Sequence, residues 1–212
     1  PPQLEGLCSF LQLSTCPEPS LVRFCSWLLA LSPDLSYSSA AILAQQLFLR
    51  RVLALTQPPS RHLMAALTSF CSKYSHPFCR VLVAAVLQGP GEGAEQTKLA
   101  CELVEECLEP RSVQLVLSHI LEVPLSEKLL PVLQAVLGRQ VRSPWVSWMT
   151  PAVLEQGPTL LPAPGLFQEV LPPELLDLLV LTLCQQAPAF ATSLNFARLV
   201  TAVLTVYQSQ VS

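Results

Sequence analysis

The stretch LLALSPDLSYSSAAILAQQLFL (28–49) decides the fold, because leucine-rich helical runs lie on both sides of a short segment that contains Pro33. The segment LTLCQQAPAFATSLNFARLVTAVLTVY (181–207) shows the same arrangement around Pro188. Proline ends helices, since it lacks the backbone N–H and disfavours helical geometry in the residue before it. Two helices joined by a proline-marked turn form a helical hairpin, and such hairpins bury their apolar faces by stacking. The sequence therefore predicts an all-α fold.

Weak internal repeats indicate how the hairpins are arranged. Phe70-Cys71 precedes Pro77-Phe78, and Leu183-Cys184 precedes Pro188 and Phe190. In both units an apolar residue and a cysteine close the first helix, and a proline and an aromatic residue open the second. The units are irregularly spaced, at about 33–45 residues, which is the range of HEAT-like and armadillo-like repeats. We expect residues 1–212 to form a single domain, a right-handed α-solenoid of degenerate hairpin repeats.

Apolar residues at helical spacing predict the individual helices over 3–13, 20–32, 36–55, 60–75, 77–88, 94–109, 110–121, 126–137, 173–186 and 193–207. Four serines are the expected N-caps, namely Ser20, Ser36, Ser60 and Ser126. Pro131 is expected to kink its helix. The segment GPGEG (89–93) predicts a flexible loop, and frequent prolines predict irregular chain over 140–165.

Composition excludes two classes of protein. The chain is 51% hydrophobic but only 13% charged, against about 25% charged residues in an average soluble domain. Its longest uncharged run, 178–197, is interrupted by two glutamines, a proline and an asparagine, so it does not predict a membrane span. The net charge is −3 and the largest basic cluster is the pair Arg50-Arg51. That pattern lacks the phosphate-neutralising charge of a nucleic-acid-binding protein.

The eight cysteines form no CxxC pair, and three histidines complete no zinc-ligand spacing. Six of the cysteines lie beside Leu or Phe in helical runs, at positions 8, 25, 71, 101, 107 and 184. There a reduced thiol acts as a small apolar residue, which favours a reducing compartment. The chain begins with Pro1-Pro2 without a signal peptide and ends directly after a helical pattern, so we expect it to be a domain of a longer protein.

Catalytic groups are sparse. His62 and His76 are expected at the surface or near helix ends, and His119 is expected to be partly buried on its helix. The glycine-rich segment 89–93 lacks the GK[ST] ending of a phosphate-binding loop. We therefore predict no enzyme activity, no metal, no cofactor and no small-molecule ligand. An all-helical enzyme that combines His119 with a cysteine thiolate is kept as an alternative.

Three features are candidates for protein binding. The helix over 94–109 carries an acidic face, which is either solvated surface or a docking patch for a basic partner. Trp145 and Trp148 either anchor a partner or fill a gap at the edge of the core. Arg198 lies off the apolar stripe of the last predicted helix, near whose end Tyr207 is expected to be exposed. Arg198 and Tyr207 are the first candidates for partner binding.

Two long segments carry a family resemblance, namely LTSFCSKYSHPFCRVLVAAVLQGPG (67–91) and LCQQAPAFATSLNFARLVTAVLTVYQSQV (183–211). They resemble the C-terminal domain of the Fanconi anaemia group E family, and the likeness extends across most of the chain. The resemblance implies a nuclear, non-catalytic adaptor in the Fanconi core complex, a ubiquitin ligase for DNA interstrand crosslink repair. It implies binding to the group C subunit and recruitment of the group D-two protein for monoubiquitination, with the domain monomeric on its own. The competing interpretation is a cytosolic helical-repeat scaffold or transport subunit.

Overall fold

The fold is all-helical in the part of the chain that the computed structural model describes, residues 2–31, 34–89, 94–141 and 171–211. The helices are α1 (Pro2–Phe10), α2 (Glu18–Ala30), α3 (Tyr37–Ala44), α4 (Arg50–Leu53), α5 (Arg61–Lys73), α6 (Ser75–Gln88), α7 (Ala94–Glu102), α8 (Pro110–Leu121), α9 (Leu130–Val141), α10 (Pro173–Gln186) and α11 (Leu194–Val211). A π-helical turn, Gln45–Leu49, joins α3 to α4, and a second one, Leu103–Cys107, follows α7. Short 3₁₀ helices occupy Leu13–Thr15 and Ala187–Phe190.

Local side-chain chemistry explains where several helices begin. The Ser36 hydroxyl accepts a hydrogen bond from the backbone N–H of Ser39 at 3.3 Å, and Ser60 accepts one from Leu63 at 3.1 Å. Each bond satisfies one of the N–H groups that the first turn of a helix leaves unpaired. Both predicted caps are confirmed, and α8 begins at Pro110 as expected.

Three local predictions are wrong. Ser20 lies inside α2, which begins two residues earlier because Pro19 is compatible with a first helical turn. Ser126 does not cap α9 through its side chain, since its hydroxyl oxygen is buried without a hydrogen-bond partner. Pro131 is the second residue of α9, where the missing N–H breaks no helical bond and no kink is required.

Helices close in sequence pack together along the chain. The main packing pairs are α2 with α5, α3 with α6, α6 with α8, α8 with α9, and α9 with α11. The rings of Phe48, Phe70 and Phe78 pack together in the first half of the chain. The ring centroid of Phe48 lies 5.3 Å from that of Phe70 and 5.8 Å from that of Phe78, both in edge-to-face geometry. The consecutive residues Leu47 and Phe48 in the π-helical turn are both fully buried.

Long-range hydrogen bonds connect parts of the chain that are far apart in sequence. Side chains donate to carbonyl groups at or after the ends of earlier helices, and the donors are Arg51, Lys73, Gln96, Lys128 and Arg139. The bonded residues are between 31 and 44 positions apart. These bonds satisfy carbonyls that a helix end cannot satisfy itself.

Some predictions fall outside the described residues. The structure does not describe 90–93 or 142–170, so the loop at 89–93, most of the stretch 140–165, and Trp145 and Trp148 stay predictions. Among the helices that are described, none is long and apolar enough to cross a membrane.

Candidate protein-binding surfaces

Among the described residues, the large apolar side chains that are exposed lie between positions 7 and 37 and between positions 178 and 204. The N-terminal apolar group consists of Leu7, Phe10, Leu11, Trp27, Leu31 and Tyr37. The C-terminal apolar group consists of Leu178, Val180, Leu181, Leu194 and Leu204. Exposed apolar patches on soluble proteins mark protein-binding surfaces. Both groups are therefore candidates for protein binding.

Trp27 and Phe10 are the most exposed members of the N-terminal group, at 73% and 84% of their surface. The helix α2 packs against α5 through Leu21, Cys25 and Leu28, which are buried. Trp27 does not share that face, so its indole ring projects from the other side of the helix. The sequence analysis did not predict Phe10 or Trp27 as binding residues. Trp27 could have been identified, because helical spacing places it off the stripe of Leu21, Cys25 and Leu28.

The last helix exposes the predicted arginine. Phe196, Leu199 and Val203 are buried where α11 packs against α9, while Arg198 is exposed. Leu194 lies four residues before Arg198, so the two side chains share an exposed face of the helix.

Other parts of the C-terminal prediction need correction or fall outside the description. Helical spacing predicts that Leu204 shares the buried stripe of Phe196, Leu199 and Val203, but 60% of its surface is exposed. The backbone of Tyr207 is helical; the position of its side chain is not described. Arg198 and Leu194 thus define the described part of this binding candidate, and its partner role is still a prediction.

The helix α10 is covered on one side. The sequence of this helix, 173–186, is apolar nearly all round, which predicts that neighbouring segments cover it on two sides. In the described residues, Leu176, Leu179 and Leu183 are buried, while Leu178 and Leu181 are exposed at 44% and 55%. The helix packs against α8 through the first face only. The second face, around Leu181, adds to the C-terminal apolar group.

The acidic face predicted on 94–109 is exposed. All four of its carboxylates, on Glu102, Glu105, Glu106 and Glu109, lie at the surface, opposite the buried residues Leu103 and Val104. This arrangement is that of an ordinary amphipathic surface helix. A basic docking partner for the face stays a prediction.

Burial keeps His119 and two of the cysteines in their neutral forms. His62 and His76 are exposed, and His119 is buried as predicted. Burial lowers the pKa of His119, so its ring is neutral at neutral pH. Burial also raises the pKa of Cys25 and of Cys79 to about 12, which keeps both as thiols.

All eight cysteines are unpaired. Of the six that the sequence predicts to act as small apolar residues, five are buried or partly buried. Cys184 is the exception, because it lies on the exposed side of α10. Within the described ranges, no cluster of three or more His, Cys, Asp or Glu residues could hold a metal ion.

Comparison with known proteins identifies the family. The family model of the Fanconi anaemia group E protein FANCE matches residues 1–154. The human Fanconi anemia group E protein is 42% identical over the whole of this chain, which spans 34% of the length of that relative. The two similarities agree with the resemblance carried by 67–91 and 183–211. The chain therefore belongs to the Fanconi anaemia group E protein family.

Proposed function

We propose that the chain is a non-catalytic adaptor of the nuclear Fanconi core complex in DNA interstrand crosslink repair. In this role it binds the group C subunit and recruits the group D-two protein for monoubiquitination. Membership of the group E family supports the pathway. The observation that carries the adaptor role is the presence of two exposed apolar groups on helices that do not pack extensively against each other. An adaptor needs two surfaces that can be occupied at the same time.

The proposed architecture is a right-handed solenoid of degenerate helical hairpins. The separation of 31 to 44 residues between hydrogen-bonded helices supports a repeating unit of that length. The hydrogen bond from the Gln134 amide to the carbonyl of Asn195 joins residues that are 61 positions apart. This longer interval includes the segment 142–170, which the structure does not describe. A stack of this kind keeps its two ends apart, which suits an adaptor.

We assign the two surfaces to different partners. The C-terminal surface, around Arg198, Leu194 and Leu181, would hold the group D-two protein. An arginine beside exposed leucines provides a charged anchor within an apolar contact, a common composition of binding hot spots. The N-terminal surface, around Trp27 and Phe10, would hold the group C subunit through aromatic contacts.

Exchange of one charge tests the C-terminal assignment. Arg198→Glu should weaken binding of the purified group D-two protein by about tenfold or more, equivalent to about 1.4 kcal/mol. Arg198 is exposed, so the melting temperature should be unchanged. Arg61→Glu, at an exposed position on α5, is the matched control and should bind normally. Equal binding by the wild-type chain and Arg198→Glu would reject this surface.

A second variant separates the two partners. Trp27→Ala removes the largest exposed side chain of α2 and should weaken binding of the group C subunit by about tenfold. It should leave binding of the group D-two protein intact. Loss of both partners by either variant would contradict the assignment of two independent surfaces.

A further inference from the structure

A groove lies between α6 and the end of α8, and the stacked ring of His76 connects one of its residues, His119, to Tyr37 of the N-terminal apolar group. Its walls are formed by Val83, Ala84 and Leu87 on α6, by His119 on α8 and by Val123 just after α8, and its volume is about 220 Å³. Pockets for small molecules usually enclose about 300 Å³ or more. The groove is therefore better suited to one side chain of a protein partner than to a cofactor.

The buried His119 side chain at this groove lacks hydrogen-bond partners. Only 9% of the side chain is exposed, and neither Nδ1 nor Nε2 makes a hydrogen bond. The nearest carboxylate oxygen, Oε2 of Glu122, is 3.6 Å from Nδ1, beyond hydrogen-bonding distance. Leaving a buried polar group unsatisfied costs about 1–3 kcal/mol.

The protonation state of His119 indicates what could satisfy it. Burial lowers its pKa, so the ring is neutral and offers one donor and one acceptor. A peptide backbone presents one N–H and one C=O at each residue, which is the complementary set. The ring of His76 is stacked over His119 with centroids 5.8 Å apart. His76 is exposed and also contacts the ring of Tyr37, with 4.8 Å between the centroids. Both ring nitrogens of His119 are buried, so a bound peptide reaches them only when the surrounding side chains shift.

The mouth of the groove carries one loose ion pair. Arg80 Nη2 and Glu122 Oε2 are 3.6 Å apart, and both side chains are more than half exposed. Such an exposed pair contributes little to stability. A carboxylate from a partner could replace Glu122 on Arg80 with two parallel hydrogen bonds, the geometry that guanidinium favours. Glu122 would then stay beside His119.

We propose that this groove is a third docking site, for a short peptide segment of a partner protein that carries a leucine-sized apolar side chain next to a carboxylate. The apolar side chain fills the space between Val83, Leu87 and Val123. The backbone of the segment bonds to His119, and its carboxylate pairs with Arg80.

Two synthetic peptides test the proposal against the 212-residue chain. The first is the capped hexapeptide Gly-Ser-Leu-Glu-Ser-Gly, and in the second lysine replaces the glutamate. NMR titration should show saturable shifts of the Val83 and Val123 methyl groups and of the His119 imidazole with the first peptide. The lysine peptide should bind at least about fivefold more weakly, as expected for loss of one charge-assisted contact. Shifts that do not saturate at about 10 mM, or equal binding of the two peptides, would overturn the proposal.

Reversal of the charge at Arg80 on the protein provides a second test. Arg80→Glu should reverse the preference, so that the lysine peptide binds better than the glutamate peptide. Arg80 is exposed, so this variant should keep the wild-type melting temperature. Arg61→Glu, on α5, should leave the preference as in the wild type. An unchanged preference in Arg80→Glu would also overturn the proposal.

Discussion

Gln96 holds two parts of the chain together, and its replacement is the sharpest test of the fold. Its side-chain amide nitrogen lies 2.9 Å from the carbonyl oxygen of Val52, 3.3 Å from that of Leu53 and 3.1 Å from that of Leu55. Gln96 is only 2% exposed. Gln96→Leu keeps a side chain of similar size but removes the donor, so these carbonyls at the end of α4 lose their partner.

The expected loss of stability in Gln96→Leu follows from the burial of the three carbonyl acceptors. The Val52 bond is buried, so an unsatisfied carbonyl there should cost about 1–3 kcal/mol. The other two bonds are partly buried, so water can replace them at little cost. The net loss in the free energy of unfolding should be about 2 kcal/mol. For a domain of this size that lowers the melting temperature by about 4–8 °C.

Thermal unfolding followed by circular dichroism measures this loss directly. Gln45→Leu, at an exposed position in the π-helical turn, is the control and should change stability by less than about 0.5 kcal/mol. If Gln96→Leu lowered the melting temperature no more than Gln45→Leu, the hydrogen bonds from Gln96 to the end of α4 would not stabilise the fold, contrary to this prediction.

Three further predictions concern the core, the thiols and His119. Phe48→Ala should cost about 3–5 kcal/mol in urea unfolding, because Phe48 is fully buried between Phe70 and Phe78; a loss below about 1 kcal/mol would contradict this packing. At pH 8, mass spectrometry should find Cys184 alkylated by iodoacetamide well before Cys25 and Cys79, whose pKa values burial raises to about 12; equal rates would contradict it. Burial lowers the pKa of His119 below its unfolded value near 6.5, so as pH falls through about 6.5 the unfolded chain takes up more protons and stability is lost. His119→Gln should therefore lose less stability than the wild type between pH 7.5 and 5, and parallel melting curves would refute this.

Features set by neighbouring residues could be predicted from the sequence. The caps at Ser36 and Ser60 depend on a hydroxyl three residues before the N–H that it binds. The start of α8 depends on Pro110. The buried stripe of α5, from Leu63 to Phe70, follows from helical spacing. Each signal lies within one or two turns of helix, so no knowledge of the tertiary structure was needed.

Features set by distant residues could not be predicted. Nothing near Gln96 in sequence indicates that its amide binds carbonyls 41 to 44 residues earlier. The exposure of Leu204 depends on how α11 lies against α9, and its helical spacing alone suggested burial. The groove at His119 likewise forms only when α6 and α8 pack together. Binding surfaces also depend on residues that are distant in sequence. For this reason, Arg198 was the only described residue of the C-terminal surface that the sequence predicted.

The proposed adaptor role depends on simultaneous occupancy of two surfaces. The most direct measurement mixes the chain with the purified group C subunit and the group D-two protein and determines the mass of the complex by size-exclusion chromatography with light scattering. The adaptor role predicts one species that contains all three proteins. With Arg198→Glu, the complex should contain only the variant chain and the group C subunit. Displacement of one partner by the other, or no binding of either, would contradict the account.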